Sequence, residues 1–252
     1  MVESKKGRAF NQLASLIYPS GLVCLSCKSE IGTENLREES LCLKCLKSLP
    51  YIREERCTVC LDMRVISKKV CANCASRVPC FDKLYAPFYY SGAVKQMVLN
   101  YKDGETYLSD YIAKYLALHF NAQSVNADIL AFVPASKKAV LARGFNHMEL
   151  IAKALAPLIN LPLIEPLIKI NHAKAEQKRL SRLQRTENIK DSFLINPDSP
   201  KELIESKTVL LIDDVVTTTA TINECSRVLL NNGASLVLVL AFARHASKIR
   251  EI

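Results

Sequence analysis

The chain holds 252 residues with 49% apolar content and a formal net charge of +9, enough to bury a sizeable core as one large domain or as a medium domain with a small attachment. No apolar run approaches the roughly 18 residues that span a bilayer. The opening MVESKKGRAFNQLASLIYPS sets charges and amides around a short apolar patch rather than a secretory core, so the expectation is a soluble, cytoplasmic protein.

In chain order, the first feature is a cysteine-rich head. Eight of the ten cysteines fall in four Cys-x-x-Cys pairs, Cys24/Cys27, Cys42/Cys45, Cys57/Cys60 and Cys71/Cys74. Two residues between cysteines let both sulfurs turn toward one cation, and two such knuckles complete a tetrahedron. In a reducing compartment this spacing points to Zn²⁺ rather than to disulfides or redox-active pairs. A closed four-sulfur shell leaves no room for substrate water, so two structural zinc sites are expected. Pairing the knuckles in sequence order is the reading adopted, with an interleaved cross-brace as the alternative. The composition shift after these cysteines divides the chain into a zinc-binding domain at 1–80, with an N-terminal helix, and a second domain at 81–252. Two such sites, each a formal −2, would lower the net charge from +9 to +5, so overall basicity is a weak argument for a polyanion partner.

From Phe81 onward strands and helices alternate. DKLYAPFYY is β-rich; GAVKQMVLNYK carries Val94, Met97, Val98 and Tyr101 at helical spacing, and a second helix carries Leu108, Tyr111, Ile112, Tyr115 and Leu116. DILAFVPA is a buried strand ending near Pro134, and GFNHMELIAKALAPLI is the next helix. Short strands in LPLIEPLIKI, a buried strand TVLLI, a helix TINECSRVLLNNG stopped by Gly233, and a last strand SLVLVLAFA complete the chain. This rhythm implies an α/β fold, a mainly parallel sheet with helices on both faces.

The stretch VLLIDDVVTTTAT, residues 209–221, joins a buried strand to two acids and a threonine patch. Ligands collect at the carboxyl ends of parallel strands, where Asp213 and Asp214 are expected as TVLLI gives way to a loop. Carboxylates there can accept hydrogen bonds from two vicinal hydroxyls, as a ribose presents. Thr217, Thr218, Thr219, Ala220 and Thr221 lead into a helix whose backbone N–H groups and dipole suit a phosphate. Capping a helix needs one such residue, and this stretch supplies six within nine positions.

On these residues the chain resembles type I phosphoribosyltransferases, whose phosphoribosyl pyrophosphate (PRPP) signature VLLIDDVVTTTAT matches. With the cysteine knuckles, YYSGAVKQMVLNYKDGE, VPASKKAVLARGFNHMELIA and EQKRLSRLQRTENIKDSF in order, it resembles the ComF family of competence-associated, phosphoribosyltransferase-like proteins along nearly its whole length. The resemblance implies that Asp213 and Asp214 take ribose hydroxyls and that Thr217–Thr221 takes the 5-phosphate. It also implies that the loop around Val133 to Lys137 holds pyrophosphate, with Arg143 and Lys137 as clamp and Mg²⁺ bridging the ligand. Arg143, Gly144, Phe145 and Asn146 match one further element of the family, and Gln177, Leu180, Arg185 and Asn188 another. Two departures stand out. Thr219 occupies the usual glycine position, where positive φ is allowed, and His147 replaces a glutamine; no general-base role is assigned to it.

Lys174, Lys178, Arg182 and Arg185 fall at steps of four, four and three, one helical face able to follow a phosphate backbone or to close over pyrophosphate. By resemblance the partners are single-stranded DNA and a DNA-translocating helicase. Two functions follow: a binding protein that handles incoming DNA in natural transformation around a PRPP-type site, or a phosphoribosyltransferase acting on a nucleobase or other small acceptor.

Overall fold

The computed structural model describes residues 23–31, 40–53, 56–170 and 189–245; the basic stripe at Lys174, Lys178, Arg182 and Arg185, the Gln177 to Asn188 element and the N-terminal helix expected of the head lie outside them. The central sheet joins β3 (Lys83–Tyr85), β4 (Phe88–Tyr89), β5 (Ile129–Phe132), β8 (Thr208–Val216) and β9 (Leu236–Arg244). Its order is β3-β9-β8-β5, with β4 continuing beside β9 after Pro87, and every pairing is parallel. The two inner strands, β8 and β9, are nearly uninterrupted branched apolar sequence because both of their faces are covered.

Period two sorts the sheet into two cores. Leu130, Phe132, Leu210, Ile212, Leu238, Leu240 and Phe242 pack with α3 (Gly92–Lys102), α4 (Leu108–Asn121) and α6 (His147–Ile159). The intervening residues Ile129, Ala131, Val209, Leu211, Val237, Val239 and Ala241 pack with α7 (Ala220–Asn231) and with Leu167 and Phe193. Those last two belong to a separate antiparallel pair, β6 (Leu167–Lys169) and β7 (Phe193–Ile195). The stripe Val94, Met97, Val98 and Tyr101 is fully buried, as its spacing requires.

Two elements differ from the sequence reading. The strand expected at TVLLI runs on through both acids to Val216, because Val215 and Val216 are β-branched and keep pairing with Ala243 and Arg244. A short extra helix, α5 (Lys137–Arg143), precedes α6; the Ser136 hydroxyl caps it by accepting from the Ala139 N–H at 3.2 Å, and Gly144, at φ +80, ends it.

The head also holds α1 (Leu43–Lys47), the hairpin β1 (Val65–Ser67) and β2 (Val70–Cys71), and α2 (Ala72–Ser76). Its cysteines are built into the cores on opposite sides of the sheet. Cys24 and Cys45 belong to the cluster with α3, α4 and α6, whereas Cys57, Cys60, Cys71 and Cys74 belong to the cluster with α7.

Candidate functional site

The sulfurs group as Cys24, Cys27, Cys42 and Cys45, and as Cys57, Cys60, Cys71 and Cys74, each set within 4.8 Å. The sequential pairing therefore holds and the cross-brace does not. The Sγ atoms of Cys27 and Cys42 are 3.8 Å apart and those of Cys60 and Cys71 3.6 Å, close to the edge of about 3.8 Å that a tetrahedron with metal–sulfur bonds of about 2.3 Å requires. The donor set and its size fit a tetrahedral ion at each tetrad. The first knuckle is tied to α3: Ser26 Oγ donates to the Ala93 carbonyl at 3.1 Å, and Asn100 Nδ2 donates to the carbonyls of Leu25 and Ser26, each at 3.2 Å.

At the carboxyl ends of β5 and β8, the loop from Val133 to Ser136 lies beside the two acids, since Phe132 pairs with Ile212 and the Val133 N–H donates to the Ile212 carbonyl at 3.0 Å. Because both acids are still in strand conformation, their side chains take opposite faces. Asp213 is half-buried on the α7 side and receives the Asp214 N–H at 2.9 Å. Burial, reinforced by the neighbouring Asp214 charge, pushes its carboxyl up to about 8.

Asp214 is only 5% exposed and faces α3 and α6. Its Oδ2 is 2.5 Å from Lys102 Nζ and 3.4 Å from His147 Nε2. Burial alone would raise its carboxyl; the His147 contact and the Lys102 charge outweigh it and hold the group well below the usual carboxylate range. His147 is the first residue of α6, and its Nδ1 lies 3.2 Å from Arg143 Nη1. A guanidinium can only donate, so Nδ1 accepts and the imidazole proton sits on Nε2, toward Asp214. Tyr101 completes the group, its hydroxyl donating to the His147 carbonyl at 2.5 Å.

Lys102, His147 and Tyr101 were not among the residues the sequence singled out for the site. The signal for Lys102 was its place in NYKDGE at the end of α3; nothing in the sequence sets it against Asp214, 112 residues later in the chain. Arg143 reaches the cluster through the turn at Gly144 and is otherwise exposed, as is Lys137 at the start of α5. Asn146 Oδ1, two residues beyond that turn, is buried with no hydrogen-bond partner among the described residues.

Beyond Val216 the chain bends through Thr217, Thr218 and Thr219 into α7. Thr217 is exposed and Thr218 to Thr221 are half-exposed. Thr219 sits at φ −77, an ordinary conformation, so a β-branched residue stands in the usual glycine position without backbone strain. The bend is held from behind by Arg244, only 2% exposed, whose Nη1 donates to the carbonyls of Val216 (2.9 Å), Thr217 (2.6 Å) and His245 (3.3 Å). Its Nε donates to the Cys60 carbonyl at 3.0 Å, within the second cysteine tetrad.

A half-buried acid, a cationic cluster of Lys102 and Arg143, and an open threonine bend before a twelve-residue helix thus share one end of the sheet. Such an arrangement suits a ligand with hydroxyls at one side and an anion at the other.

No protein-family model matches the chain. It is 25% identical to Competence protein F of Haemophilus influenzae, over 88% of this chain and 96% of that one. It is 26% identical to Competence protein ComFC of Bacillus subtilis, over 84% and 90%, and 24% identical to DNA utilization protein YhgH of Escherichia coli, over 81% and 96%. Among solved structures, glutamine PRPP amidotransferase from B. subtilis is similar at 20% identity over 54% of this chain, with a TM-score of 0.37; the chain spans about a quarter of that protein, 26%. An overlap at that level assigns no activity.

Proposed function

We propose, on the premise that the chain is a homologue of the ComF family proteins over at least 81% of its length, that it is a competence protein that handles incoming single-stranded DNA around a PRPP-type site. The observation that carries the site half of this reading is the meeting of Asp213 and the Thr217–Thr221 bend at the end of β8, with Lys102 and His147 on Asp214 alongside and Arg143 on His147. In this reading a ribose 5-phosphate sets its hydroxyls against Asp213; Asp214, expected from the sequence to share that role, is turned to the other face of β8 and held by Lys102 and His147, where it fixes that end of the strand. Its phosphate enters the bend, and pyrophosphate extends along Val133 to Lys137 toward Arg143. Mg²⁺, which prefers a few carboxylates plus substrate phosphates, would be held by Asp213 and by the ligand's own oxygens, and would supply charge neutralisation there.

The tetrads take one Zn²⁺ each, the ion that a closed four-thiolate shell favours. Residues 1–80 are a zinc-clamped head and residues 81–252 the body that carries the site. The names of the relatives support the DNA half, and so does the run of basic residues Lys174, Lys178, Arg182 and Arg185. No helix among the described residues is long and apolar enough to cross a membrane; work on DNA in the cytoplasm beside a translocating helicase is part of the reading on the strength of the resemblance to competence proteins.

The test is made in cells that carry the protein. Asp213→Asn and the triple charge removal at Lys178, Arg182 and Arg185 are each expected to lower the frequency of transformation by chromosomal DNA while the chain accumulates normally. In vitro, affinity for a single-stranded oligonucleotide falls with salt, and the triple variant flattens the slope. Transformation at full frequency in both variants would contradict the proposal.

A further inference from the structure

Arg244 bridges two features that sequence reading treats as unrelated. Its Nε holds the Cys60 carbonyl, inside the Cys57–Cys60 knuckle, while its Nη1 holds the carbonyls of Val216 and Thr217, where the threonine bend opens. In a planar trans peptide the C=O and N–H point in opposite directions. Drawing the Val216 and Thr217 oxygens inward to the guanidinium therefore turns the N–H groups of Thr217 and Thr218 outward, toward the mouth of the bend. Among the described residues neither N–H has an acceptor. Both donors are thus left unfilled on the outer side of the bend, beside the first free N–H groups of α7, where an anion can take them.

The arginine can hold this arrangement only while its other anchor is fixed. The Cys60 carbonyl is positioned by a knuckle of two cysteines whose geometry depends on a shared metal ion. A metal-filled tetrad, with four thiolates and a formal −2, also attracts the buried guanidinium.

We propose that occupancy of the second cysteine tetrad sets the anion affinity of the Thr217–Thr221 bend, with Arg244 as the positioning residue that transmits it. The inference rests on the sugar-phosphate reading of the site and extends it: the second metal is part of the binding apparatus rather than a remote staple. With the metal in place the two amides are turned outward in advance; with it removed, Arg244 loses its anchor and the bend must be ordered by the ligand itself, which weakens binding.

Linkage makes the test available in the intact wild-type chain, because coupling between two sites is reciprocal. The metal-loaded chain is equilibrated against a chromophoric chelator with and without saturating ribose 5-phosphate. The sugar phosphate is expected to tighten retention of one of the two metal ions by about tenfold, a typical coupling, and to leave the other unchanged. In parallel, calorimetry with ribose 5-phosphate is expected to show binding about tenfold weaker in Arg244→Met, with Arg244→Lys regaining part of the loss by reaching one carbonyl. Binding by the wild type with no change in retention of either metal, and with equal affinity in Arg244→Met, would overturn this inference and leave the site reading standing. No saturable binding by the wild type would overturn both.

Discussion

Asp214 and Lys102 form a buried ion pair, Oδ2 to Nζ 2.5 Å, that joins the end of α3 to the strand bearing the PRPP-like motif. Removing one partner of a buried pair leaves the other charge without compensation. Lys102→Met is expected to lower unfolding stability by about 2–3 kcal/mol, somewhat less than the roughly 3–5 kcal/mol of a fully buried pair, because the lysine is partly in contact with water. Adding Asp214→Asn to Lys102→Met should restore part of that loss. A thermal or urea double-mutant cycle checks it, and additive effects would mean that the two side chains do not interact.

The Asp213 carboxyl is pushed up to about 8 by burial and by Asp214. A group whose folded value is raised stabilises the folded chain below its unfolded value and loses that contribution as pH rises through the folded value. Stability should therefore decline from about pH 4 to about pH 8 on account of this residue, with the window set by its free and folded values. Ligand binding through Mg²⁺ needs the carboxylate, so affinity for the Mg²⁺ complex should climb by about tenfold per pH unit toward pH 8 and then level, with one proton released on binding. Calorimetry in buffers of different ionisation enthalpy measures that proton, and Asp213→Asn should abolish both the slope and the release.

Thr219 already has a negative φ and caps α7 without a side-chain hydrogen bond. Restoring the usual residue with Thr219→Gly is expected to cost only about 0.5 kcal/mol, since glycine at a cap loses a few tenths relative to threonine. Sugar-phosphate affinity should change less than about threefold, under 1 kcal/mol. A large gain in affinity would show that the threonine side chain blocks the bend.

Metal analysis should find two ions per chain. Because both tetrads are built into the cores flanking the sheet, chelation should lower the unfolding midpoint of the whole chain in a single transition, as metal binding contributes folding free energy. A chelated chain that unfolds at the same temperature would contradict their role in the core.

The sheet and most helices were legible because their signals are local. Val94, Met97, Val98 and Tyr101 mark a buried helix face, and the branched runs before Asp213 and in β9 can only be covered strands. The tetrads were legible from spacing, but their pairing was not, since four equivalent knuckles allow more than one arrangement. The end of β8 was misplaced because two adjacent acids read as a loop, whereas Val215 and Val216 kept their partners on β9.

Within the site, the acids and threonines were visible as a motif. Lys102, His147 and Arg244 were not, because each acts through a contact made by the fold: α3 against β8, the turn at Gly144 against α6, and the end of β9 against a cysteine knuckle. Arg244 ends an apolar strand and looks in sequence like a residue that turns to solvent; its burial follows from carbonyls that converge there from Cys60, Val216 and Thr217.

The most direct test of the central claim is a calorimetric titration of the metal-loaded chain with PRPP and Mg²⁺, repeated with Asp213→Asn. Saturable binding at one site per chain, weakened at least about tenfold (about 1.4 kcal/mol) by the substitution, is the expected result. No saturation by about 1 mM, a limit near −4 kcal/mol, would mean that the acids and the threonine bend do not form a sugar-phosphate site.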